Sequence, residues 1–157
     1  MSVLLGNEEA DVRVSLLKDT IGDATPCLKK IVVVDDSKFL ADILATFFQL
    51  EGLSAQAVYG GAEAVATICR EIPDVAFVDL VMPDLSGMEV ARHVRASGIE
   101  RPPVLVALSA WEEDGVRREA KEAGFDYFLA KPVDIPELRE FMSRLGADHV
   151  SRVTLGK

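Results

Sequence analysis

The sequence predicts an α/β protein, a doubly wound sheet of five parallel strands with helices on both faces. Three observations predict it. Short apolar runs recur between Ile31 and Ala130, each of strand length and too short for a helix. Amphipathic segments of helical period separate them, and strands that alternate with helices pair in parallel. The runs are also apolar almost throughout, as strands covered on both faces are.

Each element follows in order. Ile31–Val34 is a β-branched run and the first strand; it breaks at Asp35-Asp36-Ser37. Asp36 or Ser37 can cap the next helix, in which Phe39, Leu40, Ile43, Leu44, Phe47 and Phe48 fall on one stripe, and Gly52 is a natural stop. Ser54–Tyr59 is the second strand. Gly60-Gly61 opens a helix with Ala64, Val65 and Ile68 facing inward, and Pro73 closes that region. Asp74–Val78 is the third strand, ending at Asp79. The turn-rich loop Met82–Gly87 leads into a helix with Met88, Val90, Ala91 and Val94 inward. Pro102-Pro103 precedes the fourth strand, Val104–Leu108. A charged helix follows from about Glu112 to Ala123, its thin apolar face made by Val116 and Ala120. Phe125–Ala130 is the fifth strand and Lys131-Pro132 ends it. The last helix starts at Asp134, with Glu137 at capping-box spacing, and buries Leu138, Phe141, Met142 and Leu145.

These elements define one domain over residues 29–145. Residues 1–28 carry Ala10, Val14, Leu17 and Ile21 at helical spacing, but Val12, Val14 and Leu16 alternate as a strand would. That extension reads as a weak helix or a disordered segment, and residues 146–157 as a short tail.

Composition narrows the partners. The chain has 157 residues and a formal net charge of −9, with a pI near 4.7. An acidic surface repels phosphate backbones and anionic lipid, so neither nucleic acid nor membrane is an expected partner. No stretch has the roughly 20 apolar residues of a membrane helix, and the N-terminus lacks signal-peptide features. Cys27 and Cys69 stand apart without metal-ligand neighbours, which excludes a zinc site and suits a reducing compartment. The expected location is cytoplasmic.

Chemistry gathers at the carboxyl ends of the strands, where open parallel sheets bind ligands. Asp35 and Asp36 follow strand one, Asp79 strand three, Ser109 strand four and Lys131 strand five. Three converging carboxylates repel one another unless a cation intervenes. Magnesium suits best, because it uses few carboxylates and keeps waters that a phosphate can displace. Lys131 offers a point charge and Ser109 a hydrogen bond to phosphoryl oxygens, and a carboxylate can itself accept a phosphoryl group. Each residue has a plainer reading alone: a helix cap for Asp35 or Asp36, a turn for Ser109, surface charge for Lys131. Their joint placement carries the argument. His93 and His149 show no catalytic or ligand spacing.

Over residues 29–145 the sequence resembles the receiver domain of two-component response regulators. The resemblance rests on VVVDDS at Val32–Ser37, DLVMPDLSG at Asp79–Gly87, ALSA at Ala107–Ala110 and KP at Lys131-Pro132. It implies the flavodoxin-like receiver fold with strand order 2-1-3-4-5. It implies that Asp79 is the phosphoacceptor and that Asp35 and Asp36 hold magnesium, Asp36 directly and Asp35 mostly through water. Val81 matches the position whose backbone carbonyl completes the metal site. Ser109 matches the switch hydroxyl, Lys131 the site lysine, and Phe128 the switch aromatic that moves inward on phosphorylation. The Lys131-Pro132 bond matches one that is usually cis. Phe128 lacks a tyrosine's hydroxyl, and Trp111 and Val81 are large apolar neighbours of the phosphate position that would hinder water.

The expected function is a stand-alone receiver, not an enzyme in the ordinary sense. It takes its phosphoryl group from a sensor histidine kinase or a histidine phosphotransfer protein. After Leu145 no DNA-binding or catalytic output domain is expected, so signal would leave by protein contact. The fourth helix, fifth strand and fifth helix form the implied output face, on a monomer or a phosphorylation-dependent homodimer. The alternative is a phosphorylation-independent scaffold, against which the full set of site residues argues. A metal-dependent phosphatase would need a second carboxylate where Val81 stands. A flavin module would need a less acidic loop after strand one.

Overall fold

The computed structural model describes residues 28–155, so the expectation for the extension at 1–27 lies outside the described residues. Five strands are present: β1 (Lys30–Val34), β2 (Ser54–Val58), β3 (Val75–Asp79), β4 (Val104–Ser109) and β5 (Tyr127–Ala130). They alternate with α1 (Lys38–Leu50), α2 (Gly61–Glu71), α3 (Gly87–Ala96), α4 (Asp114–Ala123) and α5 (Ile135–Leu155). All neighbouring strands pair in parallel, in the order β2-β1-β3-β4-β5. The sheet and α1–α4 lie within the compact unit Leu28–Leu138; from Arg139 onward α5 belongs to a second unit.

Alternate residues of each strand enter different layers, as the pleat requires. Val32, Val34, Ala76, Val78, Leu105 and Ala107 join Ala64 and Ile68 of α2, Val90 and Val94 of α3, and Ala120 and Ala123 of α4 in one core. On the opposite face Phe48 of α1 stacks on Phe77 of β3, ring centroids 5.0 Å apart. Apolar burial on both faces is the principal stabilising term, at about 25 cal/mol per Å².

Three details depart from the sequence expectation. α1 turns Ala41, Ala45 and Phe48 to the sheet and leaves Phe39 73% exposed, Ile43 44% and Leu40 42%. Small alanines let the helix sit close to the strands, and that packing sets its rotation more strongly than the larger stripe does. β5 begins at Tyr127 and not Phe125, because Gly124 ends α4 in the left-handed region (φ +118°) and Phe125 N–H donates back to Ala120 O. α5 runs on through Gly146 to Leu155, where a tail was expected. Its exposed Arg144–Glu140 pair, one helical turn apart, suits a continuing helix.

Candidate functional site

β1 has β2 on one side and β3 on the other, so the chain's direction of travel reverses at β1 and leaves a crevice beyond the carboxyl ends of β1 and β3. Asp35 lies directly after β1 and Asp79 is the last residue of β3. Both are buried, as is Ser109 at the end of β4. A buried carboxylate needs partners. Asp35 Oδ1 accepts the Ser37 N–H at 2.9 Å and Oδ2 accepts from Lys131 Nζ at 2.7 Å. Ser37, not Asp36, caps α1, its side chain accepting from Leu40 N–H. Asp36 is thereby left exposed, with its carboxylate free to face the crevice rim.

Lys131 Nζ also lies 3.3 Å from Asp79 Oδ1, so one ammonium bridges two buried carboxylates. Its approach is fixed from two sides. Lys131 N–H donates to Ser109 O at 2.8 Å, and the Lys131-Pro132 peptide bond is cis. Burial disfavours the ammonium, but its hydrogen bond to Asp35 and the charges of Asp79 and Asp35 outweigh that and raise its pKa. Asp79 goes up to about 6: burial raises it most, Asp35 adds repulsion, and Lys131 and the Val81 N–H pull the other way. A group so poised is short of positive charge.

Asp35, Asp36 and Asp79 each offer an oxygen within 4.8 Å of the others. That oxygen-only donor set fits a hard divalent ion, and one of the three being exposed leaves room for water or phosphate in the remaining positions. Ser109 Oγ accepts the Trp111 N–H at 3.0 Å, and its own O–H remains able to donate. Phe128 is half-buried against the core, two strand positions from the site end of β5. Val81 and Trp111 stand at the rim, 63% and 59% exposed. The structure thus brings Asp35, Asp36, Asp79 and Lys131 into one cluster, with Ser109 at the adjoining strand end.

A sequence profile described as "Response regulator receiver domain" matches residues 31–143. The chain belongs to the response regulator receiver family. Regulatory protein VanRc of Enterococcus gallinarum is 39% identical over 104 residues, which is 66% of this chain and 44% of that protein. This chain therefore spans less than half the length of that relative. The Francisella response regulator 1452 receiver domain is 29% identical with a TM-score of 0.69, covering 77% of this chain and 98% of that one. The receiver domain of the response regulator Ssk1, solved with the Saccharomyces cerevisiae phosphotransfer protein Ypd1, is 26% identical with a TM-score of 0.71. That match covers 80% of this chain and 94% of the other.

Receivers are signalling modules of two-component systems and generally bind magnesium in an acidic pocket such as this one. Among the described residues of this receiver, no helix is long and apolar enough to cross a membrane. Two contributors near the site escape a reading of motifs. Arg117, which a run of charged residues presents as solvated, lies over the Phe128 ring. Asp84 reaches across to the start of α2. The available signal for Asp84 is Gly60-Gly61, a helix start with no side chain to cap it.

Proposed function

We propose that this receiver accepts a phosphoryl group on Asp79 from a phosphohistidine donor in a magnesium-dependent step. The observation that carries the reading is the Lys131 ammonium between Asp35 and Asp79, with Asp36 completing the acidic cluster. Asp79 supplies the attacking carboxylate oxygen; the P–N bond of the donor breaks as the P–O bond forms. Lys131 takes one equatorial phosphoryl oxygen, which offsets part of the charge the phosphate brings. Asp35, Asp36, Asp79 and the Val81 carbonyl would hold magnesium, which when bound supplies the further positive charge that the phosphoryl oxygens need.

The switch follows from charge. A phosphoryl group on Asp79 presents oxygens that attract the Ser109 O–H, and space opened by that movement admits Phe128. The surface around α4 and β5 changes its affinity for a partner protein as the population shifts. Two observations support a protein as phosphodonor. Ssk1 is such a receiver in complex with a phosphotransfer protein. Here α1, which follows the acidic loop after β1, also exposes the apolar side chains of Phe39, Ile43 and Leu50, a feature of the kind partners cover. The acidic surface and the absence of a membrane-length helix among the described residues suit a cytoplasmic protein.

Intact mass after incubation with magnesium and acetyl phosphate tests the reading, beside Asp79→Asn. A single phosphoryl adduct that needs magnesium and is absent from the variant is the expected result. No adduct, together with no response of Trp111 fluorescence to beryllofluoride and magnesium, would leave the constitutive scaffold as the better reading.

A further inference from the structure

α2 begins without a cap of its own. Its N-cap residue is Gly60, which makes no side-chain cap bond. The acceptor comes from the loop after β3. Asp84 Oδ1 accepts the Gly61 N–H and Oδ2 the Ala62 N–H, each at 3.1 Å. A carboxylate at these amides satisfies two orphan donors and meets the positive end of the helix dipole. The amides of Ala62 and then Gly61 accordingly hold the Asp84 carboxyl down to about 2.

The contact is close-fitting. A Cβ on Gly61 would strike Leu85 O, and one on Gly60 would lie 3.3 Å from Asp84 Oδ2. The far end of the loop is fixed as well. Gly87 N–H donates to Leu80 O at 3.0 Å, and a Cβ there would strike Asp79 O. Between these anchors stands Val81, whose N–H donates to Asp79 Oδ1 at 3.3 Å.

We propose that Asp84 is a positioning residue for Asp79: by capping α2 from the loop, it fixes Leu80–Gly87 so that the Val81 backbone faces the acceptor carboxylate. The Val81 N–H is thereby aimed at Asp79 Oδ1 and its carbonyl held for the metal. The second part rests on the magnesium-dependent reading above. Asp84 touches none of the reacting groups, and its effect passes through Val81.

The test uses the full chain, wild type against Asp84→Ala and Asp84→Asn, at a temperature where circular dichroism finds all three folded. Magnesium affinity comes from titration calorimetry and amide exchange from NMR. Asp84→Ala should weaken magnesium about tenfold, as loss of an outer-shell partner does. It should speed exchange at Val81 as well as at Gly61 and Ala62. Asp84→Asn keeps one acceptor oxygen and should fall between; it also supplies the comparison if Asp84→Ala does not fold. Faster exchange at Gly61 and Ala62 alone, with magnesium affinity unchanged, would make Asp84 a helix cap only and overturn the proposal. If the wild type binds no magnesium, the metal reading fails by itself, and the Val81 exchange rate still decides whether Asp84 holds the loop.

Discussion

The guanidinium of Arg117 lies over the face of Phe128, 4.7 Å from the ring centroid. Phe128 has no hydroxyl through which to be held, and this cation–π contact from α4 takes that part. In the switch proposed above, in which Phe128 turns inward, the contact has to break or move with the ring. An exposed cation–π contact contributes about 0.5–1 kcal/mol, which biases a two-state equilibrium roughly two- to fivefold. Arg117→Ala should therefore bind beryllofluoride with magnesium two- to fivefold more tightly, while Arg117→Lys stays near wild type. Equal midpoints for all three chains would show that the contact does not bias the switch.

Val81 and Trp111 each stand two residues beyond a site residue, Asp79 and Ser109, and both side chains are largely exposed. The Trp111 backbone N–H donates to Ser109 Oγ at 3.0 Å, which holds the main chain that carries the indole beside the end of β4. A bulky apolar group there restricts the in-line approach of water to the acyl phosphate. Trp111→Ala should shorten the lifetime of phospho-Asp79 several-fold, and Val81→Ala should act in the same direction. The decay of the phosphoryl adduct by intact mass, after the donor is removed, measures both. An unchanged rate in Trp111→Ala would remove the idea.

The sheet was legible because its three central strands are buried on both faces: in β1, the run Val32, Val33 and Val34 leaves no alternative to a covered strand. The site was legible because polar residues at the ends of such strands stand out, as Asp79 does after Val75–Val78. Rotation of α1 was less so, since the helix is apolar nearly all round and Ala41 and Ala45 carry little weight in any hydropathy pattern. The bridge of Lys131 to Asp35, 96 residues away, follows from topology once the strand order is known. Asp84 and Arg117 make contacts that no short-range pattern encodes, because each bonds to a different element across a loop or a sheet edge.

The rotation of α1 has a direct consequence for stability. Phe48 is fully buried and stacks on Phe77, whereas Phe39 is 73% exposed on the same helix. Phe48→Ala should cost about 3–5 kcal/mol, as large core deletions do. Phe39→Ala should stay within about 0.5 kcal/mol of wild type, as surface changes do. Urea midpoints of the two variants decide the matter, and equal losses would mean that the Phe39 side of α1 faces the core as well.

The raised pKa of Asp79 ties stability to pH in a direction opposite to that of an ordinary ion-paired carboxylate. Its folded value of about 6 stands above the 3.8 of a free aspartate, with burial the first cause. Between those values the folded chain keeps a proton that the unfolded chain has lost, so stability falls as pH rises through the window. Above it, the metal-free protein carries the full cost of an ionised, buried Asp79. Asp79→Asn removes that cost while leaving Lys131 its bond to Asp35. In EDTA the variant should melt above wild type at neutral pH, and the gap should close as pH falls toward about 4. Magnesium at neutral pH should raise the melting temperature of wild type more than that of the variant, because a cation favours the ionised carboxylate. A gap that stays constant across this range would show that Asp79 titrates near its ordinary value.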